Sequence, residues 1–181
     1  KYEQSFRAAV GRALVGSDDP LDVVERLDLD GVNIRPDYRK EFQDETTLVD
    51  EWQIRRQLTG DCLSALLDSP ILDITRHQRY QFPDPAADHR FASVEKALQR
   101  FGDRRAVILN LRDGFSDMRD LLGYQEALMA LLAEPRAFSE LLERVVDYNL
   151  QLAAVVKQRY GVEILATTDD VANATGLLMR P

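Results

Sequence analysis

The sequence is short of several things. Among 181 residues there is a single cysteine, Cys62, which excludes an internal disulfide framework and fits a reducing compartment. No basic stripe or Lys/Arg cluster is present and the formal net charge is −8, so a nucleic-acid partner is not expected. Long apolar runs are missing too: the stretch from Ala127 to Ala133 is far too short to span a bilayer. A cytoplasmic location without a membrane partner is therefore expected. The chain opens with Lys rather than Met, and no signal peptide precedes it, so it is expected to begin inside a longer one. It contains neither an internal repeat nor a low-complexity tract. What remains is 45% hydrophobic and 30% charged, an ordinary globular composition, at a length that suits one domain (1–181) with a sizeable core.

Two apolar runs frame the chemistry. Arg-Arg-Ala-Val-Ile-Leu-Asn-Leu-Arg-Asp from Arg104, and Gly-Val-Glu-Ile-Leu-Ala-Thr-Thr-Asp-Asp from Gly161, are each short enough for a buried strand and turn polar at the C-terminal end. Helical sequence lies between them. A strand, a helical crossover and a second strand make a βαβ-type unit with parallel strands. Ligands collect outside the carboxyl ends of such strands. Asn110, Arg112 and Asp113 stand at one such end; Asp169, Asp170 and Asn173 stand at the other.

The rest of the chain falls into order around that unit. Tyr2 to Val15 keeps helical spacing, Leu21 to Leu27 is a short helix with Pro20 at its first position, and Asp30 to Ile34 reads as a strand. Glu51 to Leu58 alternates, with Trp52, Ile54 and Leu58 on one face, and Gly60-Asp61 marks a turn. A β-hairpin inserted near 50–60 is expected there. Phe82-Pro83-Asp84-Pro85 is a rigid extended linker, because each proline restricts itself and its predecessor. Phe91 to Phe101, Ser116 to Leu122, Tyr124 to Ala133 and Pro135 to Tyr160 read as helices. The last carries one apolar stripe through Phe138, Leu141, Leu142, Val145, Leu152, Val155 and Val156, with Gly161 as its stop.

These residues resemble a known family. Asp84-Pro85 followed by Arg90-Phe91, Arg119-Asp120-Leu121-Leu122-Gly123-Tyr124, and Asp169-Asp170-Val171-Ala172-Asn173-Ala174-Thr175-Gly176 are similar to the pattern of the uroporphyrinogen decarboxylase superfamily, over about Leu27 to Pro181. That family includes true decarboxylases, cobamide-dependent methyltransferases and uncharacterised relatives. The resemblance implies an α/β fold, the N-terminal portion of a (β/α)₈ TIM barrel, apparently truncated after three or four strands. A homodimer or a second half-barrel chain would then complete it.

The resemblance also assigns roles. It places Asp37 at the catalytic position of an early barrel strand, where a carboxylate stabilises a developing cationic pyrrole; a turn aspartate beside Pro36 is the other interpretation. Asp169 and Asp170 are catalytic candidates, because adjacent carboxylates repel unless one is hydrogen-bonded, paired or raised in pKa. Tyr38, Asn110, Arg112, Asp113, Arg119, Asp120 and Asn173 are expected to bind a small-molecule substrate. Two departures count against porphyrinogen decarboxylation: no arginine-rich segment precedes Asp30, and Asp120 stands where the family pattern has a tyrosine. Arg119 and Asp120 could also be an internal ion pair. The methyltransferase branch implies zinc and a corrinoid, with metal ligands in a second barrel half. His77, His89 and Cys62 lack ligand spacing, and both histidines are expected in exposed loops, so no metal is assigned to this segment. The expected function is therefore a methyltransferase-like or uncharacterised barrel enzyme, against a non-catalytic binding or assembly protein or a true decarboxylase.

Overall fold

A computed structural model of the chain describes residues 9, 11–59, 64–112, 114–168, 172–173 and 176–177. Most of the expected first helix, Cys62, the Gly60-Asp61 turn, Asp113, Asp169 and Asp170 lie outside them.

Helix α1 (Pro20–Arg26) starts where the Asp19 side chain accepts from the Leu21 N–H at 3.0 Å and Pro20 fills the first position. Strand β1 (Gly31–Ile34) follows. Next come four short antiparallel strands in sequential order, β2 (Lys40–Phe42), β3 (Thr47–Asp50), β4 (Arg55–Leu58) and β5 (Ser64–Asp68). Aspartates build two of the turns. Asp44 Oδ1 takes the N–H groups of Thr46 and Thr47, and Asp50 Oδ1 takes those of Trp52 and Ile54. The expected hairpin near 50–60 is therefore half of a larger meander. Residues 51–54 are not strand at all: they turn tightly, with Gln53 at a φ of 61°, and bury Trp52 and Ile54 from a loop.

Two 3₁₀ turns, Ile74–Arg79 and Asp88–Phe91, lead into helix α2 (Ala92–Phe101). Strand β6 (Ala106–Arg112), helices α3 (Gly114–Leu122), α4 (Tyr124–Ala133) and α5 (Pro135–Tyr160), and strand β7 (Ile164–Thr168) complete the main body. Helix α5 ends at Gly161 in the left-handed region, with φ 68°, where a glycine carries no Cβ penalty. A two-residue pair, β8 (Ala172–Asn173) with β9 (Gly176–Leu177), is antiparallel.

The chain is mixed α/β with a three-stranded parallel sheet of order β1-β6-β7. All three strands expected to run parallel do so: Ile34 pairs with Leu109, and Leu111 with Thr167. Register and alternation sort the side chains into two faces. Val32 and Ile34 share one face with Val107, Leu109 and Leu111, all buried, and α2 packs on β1 and β6. Phe91, Val94, Ala97, Phe101, Leu141, Val145, Leu152 and Val156 complete a core of fully enclosed side chains. Of the α5 stripe, Leu142 and Val155 are only partly buried. The opposite face carries Asn33, Ile108, Asn110, Arg112, Ile164, Ala166 and Thr168, and much of it is open: Ile164 is 47% exposed. A parallel sheet is ordinarily covered on both sides.

Candidate functional site

At the carboxyl end of β6 the polar groups meet the meander. Tyr38, Asp50, Trp52, Ile54, Arg56, Arg112, Asp117 and Leu121 line a small cleft with a cavity volume of about 60 Å³. Four separate parts of the chain supply it: the segment after β1, the β3–β4 hairpin, β6 and α3. Its floor is a charge network centred on Asp120. The Asp120 Oδ2 accepts from Arg56 Nη2 and, at 2.7 Å, from Arg112 Nη1; Arg119 Nε lies 3.7 Å from Oδ1. Arg112 Nε also faces Asp117 Oδ1 at 3.1 Å, and Arg56 Nε lies 3.7 Å from Asp50 Oδ2. Asn149 on α5 donates to the Arg112 carbonyl and to Asp117, tying the cluster to the longest helix.

Two carboxyls in this cluster are driven in opposite directions. Burial pushes Asp50 up, against its two backbone donors and Arg56, and the negative charge of Asp120 adds to the push. Burial also acts to raise Asp120, but Arg112 and Arg56 overcome it and hold the carboxyl below its ordinary range. The Arg112 guanidinium loses by desolvation and gains more from Asp117 and Asp120, so its pKa is raised. The Tyr38 phenol is pushed up to about 12, mainly by burial, with Asp117 adding and Arg90 opposing. Carboxyls whose surroundings force them apart are how one site holds an acid beside a fixed anion.

Four of the expected residues come together here: Tyr38 and Arg112 line the cleft, and Asp120 underlies it beside Arg119. Arg119 and Asp120 do contact each other, within a network that includes Arg56 and Arg112. Asp120 is thus no bare negative charge: Arg56, Arg112 and Arg119 all face its carboxylate. Asn110 lies two residues before Arg112, buried, and is not among the cleft-lining residues.

Asp37 is differently employed. Its Oδ2 accepts from the Ser93 N–H at 2.8 Å and its Oδ1 from the Ser93 hydroxyl at 2.7 Å, while its own N–H donates to the Arg90 carbonyl. Helix α2 has no side-chain cap of its own, so Asp37 satisfies its first turn from across the fold. Asn173 lies in β8.

Asp50, Trp52, Arg56 and Asp117 were not anticipated. Arg56 and Asp120 are 64 residues apart, and no local spacing announces such a pair. The histidines were anticipated wrongly. His77 is buried, with Glu140 Oε2 at 3.4 Å from its Nε2 and Arg144 donating to its carbonyl. His89 is half-buried against Glu51 at 3.0 Å.

Among the described residues, no three His, Cys, Asp or Glu side chains come together as a metal site, and no helix is long and apolar enough to cross a membrane. No protein-family model, curated protein or solved structure matches the chain.

Proposed function

We propose that the chain is the N-terminal part of a (β/α)₈ barrel enzyme like those of the uroporphyrinogen decarboxylase superfamily, working on a small anionic substrate at the cleft between β6 and the meander. The observation that carries this is the sheet. Its strands are added in chain order, each parallel to the last, as in a singly wound barrel, whereas a doubly wound sheet reverses direction at a switch point. On this reading the half-open face bearing Asn33, Ile108, Ala166 and Thr168 is the one that would turn toward the barrel interior. The charged cluster lies at the carboxyl edge, where barrel sites are built.

Within that cleft Asp50 supplies the proton-holding group, Arg56 and Arg112 the positive charge, and Trp52 and Tyr38 an aromatic wall. Asp37 supports the site by anchoring α2, and Asp169 and Asp170, which lie outside the described residues, remain candidates from the sequence. The methyl-transfer or uncharacterised branch is favoured over porphyrinogen decarboxylation because Asp120 stands where the family pattern has a tyrosine. Zinc and a corrinoid would bind through residues outside those described. A non-catalytic binding protein is the second reading; it is favoured by the way Asp117, Asp120 and the Ser116 carbonyl already occupy the Arg112 guanidinium.

The test supplies the product of the complete open reading frame with methylcobalamin and a thiol, and separately with uroporphyrinogen. Demethylation of the corrinoid without decarboxylation is the expected result. Rapid uroporphyrinogen turnover would overturn the choice of branch. Inactivity on both, with saturable binding of either, would favour the non-catalytic protein.

A further inference from the structure

The charges around the cleft balance. Asp50, Asp117 and Asp120 face Arg56, Arg112 and Arg119, three carboxylates against three guanidiniums among the described residues. An anion entering the cleft therefore brings an excess negative charge into a mostly buried place, where it is screened far less than in water. A proton taken up with it restores the balance, and Asp50 is placed to hold that proton. Its Oδ1 accepts the N–H groups of Trp52 and Ile54 at 3.0 and 3.1 Å, which fixes the carboxyl group. Its Oδ2 makes no hydrogen bond among the described residues; Arg56 Nε stands 3.7 Å away, beyond hydrogen-bonding reach. Arg56 gives its Nη2 to Asp120, and its Nη1 is likewise without a hydrogen bond among those residues. Both side chains line the cleft. The uncommitted oxygen and the uncommitted guanidinium nitrogen thus belong to neighbouring side chains that border one cavity.

We propose that the cleft binds a small monocarboxylate together with one proton from solvent, the proton residing on Asp50 Oδ2 and shared with the bound carboxylate beside Arg56. The proposal rests on the cleft being the substrate site and names the chemistry of what enters it. Protonation turns Asp50 from an acceptor into a donor, and two carboxylates held close resolve their repulsion by sharing one proton. The groups facing Asp50 from other elements act in both directions. Arg56 of β4 favours its ionised form and Asp120 of α3 opposes it. The Tyr80 phenol lies near enough to feel its charge, Lys40 is its exposed cross-strand partner on β2, and Tyr38, Arg112 and Asp117 complete the polar lining. Burial outweighs the favourable partners and holds the carboxyl above its ordinary range, so the group that must take the proton already resists ionisation. The cavity of about 60 Å³ suits a group of a few heavy atoms.

Trp52 is the sole tryptophan and lines the cleft, so its fluorescence reports entry without a label. The experiment titrates acetate at pH 6, 7 and 8, where acetate itself stays ionised, into the wild type and into Asp50→Asn. In the variant the amide oxygen keeps the two backbone bonds and the NH₂ group stands in for the protonated oxygen. Wild-type affinity should fall about tenfold or more from pH 6 to pH 8, because each binding event takes up a proton. The variant should vary less than about twofold over that range and bind more tightly than the wild type at pH 8. His77 and His89 are common to both proteins, and neither lines the cleft. Saturable binding with the same pH dependence in both would overturn the role of Asp50 while leaving the cleft as a ligand site; so would wild-type binding that is flat across the range. Saturation in the variant alone would overturn it too, since Asp50 would then bar anions at every pH tested. Absence of saturation in either protein also overturns it, and leaves the corrinoid and porphyrinogen assays to judge the cleft itself. Should circular dichroism show the variant unfolded, the wild-type series decides by the same criterion.

Discussion

Replacing Asp120 by asparagine tests whether the charge network holds the meander against the parallel sheet. Asp120 joins Arg56 of β4 to Arg112 of β6, and its side chain is only 9% exposed. Asparagine keeps the shape and one acceptor oxygen but removes the charge that three arginines face. Stripping one partner from a buried pair costs about 3–5 kcal/mol. Here Arg112 is one-third exposed and retains Asp117, and Arg56 retains Asp50, so about 2–3 kcal/mol is expected. For a chain of this length that lowers Tm by roughly 5–10 °C. Because the folded carboxyl is held below its ordinary range, its contribution is fully present above the unfolded value near ~4. It is lost as pH falls through the lower folded pKa. The gap between wild type and variant, read by urea denaturation with far-UV circular dichroism, should therefore be full at pH 7 and narrow on acidification. A penalty below about 1 kcal/mol at neutral pH, smaller than the usual cost of an orphaned buried charge, would refute the reasoning. So would a penalty that does not change with pH.

Other substitutions probe separate links. Asp50→Asn should leave stability at pH 7 unchanged or raised, since burial makes the folded carboxyl harder to ionise and an amide oxygen can still accept from Trp52 and Ile54. The wild type alone should then gain stability as pH falls through the raised folded pKa towards the unfolded value; a variant melting well below wild type at pH 7 would contradict this. Ser93→Ala removes one hydrogen bond to Asp37 and should cost about 1 kcal/mol in urea denaturation, and no measurable loss would deny Asp37 its anchoring role. Ile164→Ser, on the open face, should change the stability of residues 1–181 by less than about 0.5 kcal/mol. In the product of a complete open reading frame it should cost several times more, and an equal effect in both would argue against barrel closure.

The parallel strands and long helices were legible because each is specified by its own residues. Ala106–Arg112 is a short apolar run, and α4 and α5 begin and end where their prolines and glycines say. The meander was only half legible. Strands β2 and β5 are largely exposed, so burial imposed no alternation on them, and Trp52 and Ile54 reach the core from a turn rather than from a strand. The cleft was legible in part for a similar reason. Arg112 ends a strand and Tyr38 lies in the polar segment after one, but Asp50 and Arg56 arrive through a fold-over of the meander. An arginine and an aspartate far apart in sequence look like any two solvated charges. His77 shows the limit from the other side: a polar residue between Arg76 and Gln78 reads as surface, and only the approach of Glu140 and Arg144 from α5 encloses it.

The order of the parallel strands also bears on how the chain is made. Strand β1 emerges first from a ribosome, β6 pairs with it, and β7 then pairs with β6. Each new strand meets an edge that already exists, so the sheet can grow in the direction of synthesis without waiting for a later strand to be inserted between earlier ones. The meander, whose four strands pair only with sequence neighbours, can form as a unit during the interval between β1 and β6. At roughly 5–20 residues added per second, that interval is seconds long, ample for a hairpin that closes in microseconds. The growing edge is at every stage the most recently made strand, the one nearest the ribosome and least free to meet another chain.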